Sequence, residues 1–238
     1  MKLSVVIPAY NEEERLKKTL PKILTYFRKQ KYTKEIIIAN DGSSDGTAEF
    51  IRNKAKSSKL IKIVDLKQNQ GKGGALREGF RASKGEWILF MDADLSTPIN
   101  ELEKFWEFAS DYEVIIGSRK MAGAKVTRRQ NYLRENLGRV FTMLTNLLAT
   151  KNLSDVTCGF KLFKGDVGRK LFAAGVINDW SFDSEILFLA QKFGYKIKEV
   201  PVKWQNDPRT KVNMLEDGIN AFIGLIKIRI NDLTAKYT

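Results

Sequence analysis

The chain contains no histidine and one cysteine, Cys158. The first absence excludes Ser-His-Asp and Cys-His nucleophile systems, histidine general bases and histidine metal sites. Any metal must then be held by oxygen, which favours magnesium or manganese over zinc. The second absence excludes an intrachain disulfide and fits a reducing, intracellular compartment. Long apolar runs are also missing: the longest helical one, Val140 to Ala149, falls far short of a bilayer span. Met1-Lys2-Leu3-Ser4-Val5 runs straight into a strand pattern with no visible signal peptide. The expectation is a chain that does not cross a membrane but can lie on one. With no internal repeat, low-complexity tract or Pro/Gly-rich linker, one domain over residues 1–238 is the simplest account.

What is present is an ordinary apolar fraction, 43% of 238 residues, so a sizeable core is expected. The net charge of +13 implies an anionic partner: nucleic acid, an acidic membrane surface or a phosphorylated substrate. Against nucleic acid, the basic residues are not interleaved with aromatic stacking groups and no binding module is recognisable.

The first half alternates strand and helix patterns. Strands are predicted at Leu3–Ile7, Glu35–Asn40, Ile61–Leu66, Trp87–Met91 and Val114–Gly117, and helices at Glu12–Gln30, Thr47–Ser57, Gly74–Ala82 and Ile99–Ser110. Repeated βα units imply an α/β fold: a mostly parallel sheet with helices on both faces and ligands at the carboxyl ends of the strands. In the second half, Arg119 to Arg139 is polar and basic and continues into the apolar helix Val140–Ala149. Strands are predicted at Gly159–Lys164 and Ile197–Trp204, and helices at Ser184–Phe193 and Met214–Leu233.

Four strand ends carry ligand-type residues. Asp92-Ala93-Asp94 follows the apolar run Trp87-Ile88-Leu89-Phe90-Met91. Two adjacent carboxylates there are costly unless a cation joins them, and hard divalent cations prefer carboxylate oxygen; alternatively the pair only caps backbone amides. Ile7-Pro8-Ala9-Tyr10-Asn11-Glu12 ends the first strand, with Tyr10 able to lie against a base or ribose, or with Asn11 as a plain helix cap. Asn40-Asp41-Gly42-Ser43-Ser44-Asp45-Gly46-Thr47 ends the second. Its Asp41 can accept an imide or amide N–H from a base, and Asp45 or Thr47 can cap the next helix. Asn69-Gln70-Gly71-Lys72-Gly73-Gly74-Ala75 lacks Walker spacing, yet its glycines permit a close backbone approach with Lys72 near phosphate.

Val5-Val6-Ile7-Pro8-Ala9-Tyr10-Asn11-Glu12, the Asn40 to Thr47 segment, Asp92-Ala93-Asp94 and Gly117-Ser118-Arg119 together resemble the family 2 inverting glycosyltransferases of the GT-A fold. A narrower resemblance, over nearly the whole chain, is to the dolichyl-phosphate β-glucosyltransferases. It rests on the glycine-lysine loop, on Asp155-Val156-Thr157-Cys158-Gly159-Phe160-Lys161-Leu162-Phe163, on Trp180-Ser181-Phe182-Asp183-Ser184-Glu185-Ile186-Leu187 and on Glu199-Val200-Pro201-Val202-Lys203-Trp204. The related dolichyl-phosphate mannose synthases match the second half less well. Two departures stand out: the sequence starts at its first strand where those eukaryotic glucosyltransferases usually carry a membrane helix, and Ser96 stands where mannose synthases often place a metal-binding glutamine.

The resemblance implies glucose transfer from UDP-glucose to dolichyl or polyprenyl phosphate. Mannose from GDP-mannose, or a soluble or polysaccharide acceptor, is the alternative. It implies that Pro8, Ala9, Tyr10, Glu12, Asp41, Lys72, Asp92 and Ala93 bind the nucleotide. It implies that Asp94 and Asp92 place Mg2+ or Mn2+ on the diphosphate, and that residues 1–118 and 119–238 form nucleotide and acceptor halves. A phosphate monoester is already an anionic nucleophile, so it needs positioning cations rather than a strong base. Arg119 and Arg134 lead as its ligands, with Arg128 and Lys211 beside them; Lys125 and Arg129 belong to the same basic segment, and Arg139 reads as solvated surface. Asp183 and Glu185 suit the start of a helix, and the resemblance adds contact with sugar or acceptor. Cys158 reads as a packed residue.

Two apolar stripes edged by Lys and Arg suit helices lying in a membrane interface, at the cytoplasmic face of a membrane. One is Val140, Phe141, Leu144, Leu147 and Leu148. The other is Ile219, Phe222, Ile223, Ile226 and Ile230, widened by Leu225 and Ile228. The same stripes would equally suit core packing or contact with a second copy of the chain.

Overall fold

The structure, a computed structural model, describes residues 2–128, 132–207 and 214–237. Its centre is a seven-stranded sheet in the order β3-β2-β1-β4-β7-β5-β8. The strands are β1 (Leu3–Ala9), β2 (Lys34–Asn40), β3 (Ile61–Asp65), β4 (Trp87–Met91), β5 (Val114–Ser118), β7 (Phe160–Lys164) and β8 (Ile197–Pro201). All pair in parallel except β7, which runs antiparallel to both β4 and β5. The second half of the chain therefore inserts a strand into the middle of the sheet that the first half begins.

The inner strands are apolar on both faces because both are covered. On β1, Val5 and Ile7 face one core, with Leu16, Leu20, Ile23 and Phe27 of α1 (Glu13–Arg28) and Ile51 of α2 (Thr47–Ser57). Val6 faces the other core, where Leu76 and Phe80 of α3 (Lys72–Ala82) meet α6 (Gly165–Ala174), α7 (Phe182–Lys192) and α8 (Met214–Leu233). The period-2 alternation of β1 thus feeds two cores.

Three expectations are revised. The helix expected at Ile99–Ser110 is a 3-10 turn at Ile99–Glu101 followed by α4 (Leu102–Trp106). Beyond Trp106 the chain tightens into i→i+3 bonds, Phe108 N–H to Phe105 and Ala109 N–H to Trp106. The strand expected at Ile197–Trp204 is two. Pro201, with no N–H to give to a ladder, ends β8, and β9 (Lys203–Gln205) leaves to pair with β6 (Lys125–Arg128) in a separate two-stranded sheet. The basic segment before Val140 contributes β6 and the first turns of α5 (Tyr132–Leu148). Helix α6, unforeseen, was signalled by Val167, Leu171 and Phe172 at helical spacing.

Candidate active site

The parallel strands β1, β2, β4 and β5 end on one edge of the sheet, and Tyr10, Asp41, Asp92 and Arg119 directly follow them. After β1, Tyr10 is 41% exposed. Asn11 has φ of 52° and is not the helix cap that the sequence suggested. Its Oδ1 accepts from Ser44 N–H (2.8 Å) and Asp45 N–H (3.3 Å), and its own N–H donates to Ser43 Oγ (2.9 Å). The loops after β1 and β2 are thereby tied together. Glu12 holds the cap position of α1 without a side-chain cap bond. Its carboxylate accepts from Arg15 Nη1 at 2.7 and 2.9 Å, and Arg15 also pairs with Asp207 at 3.1 Å. For α2, Asp45 Oδ1 accepts the Thr47 N–H (3.0 Å), while Thr47 Oγ1 accepts the Glu12 N–H (2.8 Å).

Asp41 is buried, and Oδ1 accepts the Gln70 N–H at 2.7 Å. Burial raises its pKa. It therefore anchors the glycine-lysine loop. Gly42, at φ +66°, lies so close to Gln68 and Asn69 that any Cβ would stand 2.6 Å from the Gln68 carbonyl carbon. Pro8, Ala9 and Ala93 line the same edge, the two alanines buried.

Lys72 opens α3 and is the hub of the site. Its Nζ lies 2.7 Å from Asp92 Oδ1. The rings of Phe90, Trp180 and Phe182 surround it at 5.2, 5.4 and 5.7 Å. Burial disfavours the ammonium, but Asp92, Asp183 and Asp94 outweigh it and hold its pKa above the ordinary lysine value. The loop is held by backbone docking: Gly73 N–H donates to Asn178 O at 2.9 Å, and a Cβ at Gly73 would meet Ile177 O at 2.6 Å. Opposite Asp92, a Cβ on Gly159 would stand 1.9 Å from Asp92 Oδ2. The glycine before β7 thus makes room for the carboxylate.

Asp94 Oδ1 accepts the Ser96 N–H at 2.8 Å. Burial and the neighbouring Asp92 carboxylate push its pKa up. Two crowded carboxylates of this kind form a hard-oxygen donor set that a divalent cation would relieve. No cluster of three or more metal-capable side chains occurs among the described residues. A cation here would draw its other ligands from substrate and water, as magnesium commonly does.

Arg119, just after β5, is bound by Asp155 in a two-pronged pair: Nε to Oδ2 and Nη2 to Oδ1, both 2.7 Å. Nη2 also donates to Thr157 Oγ1 at 2.8 Å, and the guanidinium lies 5.3 Å from the Trp204 ring centre. Burial opposes the charge on Asp155, but Arg119 overrides it and holds the carboxyl at about 2. Among the described residues, the side-chain hydrogen bonds of Arg119 run through Nε and Nη2. Lys125 and Arg128 are exposed on β6. Lys211 and Arg129 lie outside the described residues, as does the side chain of Arg134.

Glu185 does not face the site. Its carboxylate accepts from Val176 N–H (3.0 Å), Ile177 N–H (2.9 Å) and Tyr237 OH (2.6 Å), fixing the segment that docks the lysine loop. Cys158 is buried, its thiol pushed up to about 12 by burial. In the sequence, Gly159, Lys161 and Trp180 stand only as parts of longer motifs. The signal for Lys161 was a lysine flanked by Phe160 and Leu162 inside an apolar strand.

The apolar stripes divide. On α5, Phe141, Leu144 and Leu148 pack on the core, leaving Val140, Met143 and Leu147 outward. On α8, Leu225 and Ile228 are buried, whereas Ile219, Phe222, Ile223, Ile226, Ile230 and Leu233 are all exposed, Ile219 by 62% and Leu233 by 79%. Among the described residues no helix is long and apolar enough to cross a membrane.

Residues 4–172 match the model of glycosyl transferase family 2. The dolichyl-phosphate beta-glucosyltransferase of Dictyostelium discoideum is 33% identical over 97% of this chain and 75% of its own length. That of Homo sapiens is 32% identical over 99% and 77%. That of Saccharomyces cerevisiae is 33% identical over 99% and 76%. Among solved structures, mannosyl-3-phosphoglycerate synthase from Rubrobacter xylanophilus superposes with a TM-score of 0.72 at 14% identity, covering 99% of this chain and 75% of that one. Glucosyl-3-phosphoglycerate synthase from Mycobacterium tuberculosis, in complex with Mn2+, uridine-diphosphate and glucosyl-3-phosphoglycerate, gives 0.66 at 17% identity over 95% and 79%. At such identities the solved structures share the fold.

Proposed function

The chain belongs to glycosyl transferase family 2, with the dolichyl-phosphate β-glucosyltransferases as its relatives, and we propose that it transfers glucose from UDP-glucose to dolichyl or another polyprenyl phosphate, inverting the anomeric centre. It is a glycosyltransferase of the GT-A fold. The observation that carries the reading is the placement, on one sheet edge, of the Asp92/Asp94 pair after β4 and the Asp155-braced Arg119 after β5. One suits a leaving diphosphate and the other an attacking phosphate.

Tyr10 offers its ring to the nucleoside, with Pro8, Ala9, Glu12 and Ala93 lining the place and Asp41 accepting the imide N–H of uracil. Residues 1–118 serve the nucleotide and 119–238 the acceptor. Asp94 and Asp92 would hold Mg2+ or Mn2+, which stabilises charge on the leaving diphosphate when bound. Lys72, beside Asp92, donates to the same phosphates. The acceptor phosphate oxygen attacks the anomeric carbon of glucose from the face opposite the diphosphate. The new C–O bond forms as the bond to the diphosphate oxygen breaks. No proton has to be removed first, which suits a site without histidine. Arg119, joined by Arg128, Arg134 and Lys211, positions the acceptor. With Asp155 as counterion Arg119 stays charged, and Asp155 stays ionised at neutral pH.

The test is to incubate the protein with Mg2+ or Mn2+, a short polyprenyl phosphate, and UDP-glucose or GDP-mannose separately, and to read the lipid by mass spectrometry. Glucosylated lipid from UDP-glucose alone is expected. Mannosylated lipid alone would transfer the reading to GDP-mannose, and transfer to a soluble acceptor without lipid would overturn the acceptor.

A lipid acceptor stays in its bilayer, so the enzyme must come to it. The outward face of α8 (Phe222, Ile223, Ile226, Ile230), edged by Lys227 and Arg229, suits peripheral attachment at the cytoplasmic face, aided by the net charge of +13. The protein should float with anionic liposomes at low ionic strength, and Phe222→Asp/Ile226→Asp should lower the bound fraction several-fold. No flotation of the wild type would sink the attachment.

A further inference from the structure

Beneath the site lies a charge pair that the transfer chemistry above does not use. Lys161 of β7 is 1% exposed; its Nζ donates to Cys158 O at 2.7 Å and pairs with Asp183 in the first turn of α7. A buried pair of this kind adds little stability over apolar residues of the same volume. Its position is what singles it out. The ammonium groups of Lys161 and Lys72 lie 5.6 and 5.2 Å from the centre of one ring, that of Phe90. Both ammonium groups thus lie against one ring, and Phe182, the residue before Asp183, also faces Lys72. Asp92 and Asp183 are the carboxylates that pair with these ammonium groups, and the attraction of Asp183 is among the causes that keep Lys72 charged.

We propose that Asp183, backed by Lys161, is a positioning residue for the transfer step, fixing the Lys72 ammonium where it meets Asp92 and the leaving diphosphate. This rests on the donor reading above. Without the Asp183 charge, Lys72 loses part of the attraction that holds its ammonium among Phe90, Trp180 and Phe182. The loss falls where negative charge develops on the diphosphate, so it falls on kcat more than on KM.

The experiment is steady-state kinetics with UDP-glucose, Mg2+ and a short polyprenyl phosphate on wild type, Asp183→Asn, Lys72→Met and the double variant. Asp183→Asn should lower kcat on the order of tenfold to a hundredfold, less than loss of a direct donor, with the KM for UDP-glucose within about threefold. In the Lys72→Met background the same change should cost no more than about twofold. The apolar pair Lys161→Met/Asp183→Leu should melt at or above the wild-type temperature yet keep the lowered kcat; if Asp183→Asn does not fold, that pair completes the cycle. Equal losses in both backgrounds, or an apolar pair with full kcat, would overturn the inference alone. A wild type that transfers no glucose would overturn the donor reading and this inference with it.

Discussion

Asp94→Asn should lower kcat/KM for glucose transfer by about a thousandfold or more, while the protein without ligand melts at a higher temperature than wild type. The two effects share one cause. Asp94 is pushed up by burial and by Asp92 beside it, so ionising this carboxyl costs more in the folded state than in the unfolded chain. Because the folded pKa is raised, ionisation above the ordinary carboxylate range opposes folding, and removing the charge stabilises. Asparagine keeps an oxygen for the Ser96 N–H, which Asp94 Oδ1 now accepts at 2.8 Å, so the loop should not rearrange. What is lost is half of the proposed protein share of a divalent site, since the described residues offer no cluster of three metal-capable groups. Parallel thermal melts and rate measurements check it. A variant within tenfold of wild-type activity would remove Asp94 from the chemistry.

Asp155→Ala should destabilise the fold by about 3–5 kcal/mol, the cost of leaving one member of a buried ion pair alone. Arg119 would lose both prongs of its pair and the acceptor for its backbone N–H, which Asp155 Oδ2 takes at 2.9 Å. The wild type should show the linked pH effect. Asp155 sits at about 2 in the fold against an ordinary 3.8. The unfolded chain therefore takes up the proton first as pH falls. The contribution is complete above about pH 4 and lost as pH drops towards 2, and two units correspond to about 2–3 kcal/mol. Urea titrations from pH 5 to 2 on wild type and Asp155→Ala check it. Parallel acid limbs for the two proteins would mean that the pair has no such linkage.

The parallel strands and the carboxylate pair were legible because each rests on a local pattern. Trp87–Met91 is apolar throughout and ends in Asp92 and Asp94 wherever the rest of the chain goes. Local pattern misleads at Asn11 for the opposite reason. Its short polar side chain suits a helix cap, but the loop after β2, more than thirty residues away, supplies better partners. Glu185 likewise suits a helix start, and tertiary contacts with Val176, Ile177 and Tyr237 decide its direction. The α8 stripe was visible as periodicity. Which side it turns outward depends on what packs beneath it, and Leu225 and Ile228 occupy that place.

By itself the sequence determined the alternation of strands and helices, the absence of histidine chemistry, the positive charge and the residues at four strand ends. Each of these is local, carried by composition or by spacing along the chain. Only the tertiary structure decided that β7 enters the sheet antiparallel between β4 and β5. That insertion brings Gly159 against Asp92 and Lys161 beneath the site, while Asp155 in the segment before it clamps Arg119. These partners lie tens of residues apart in sequence, and packing and electrostatics, which act through space, bring them together.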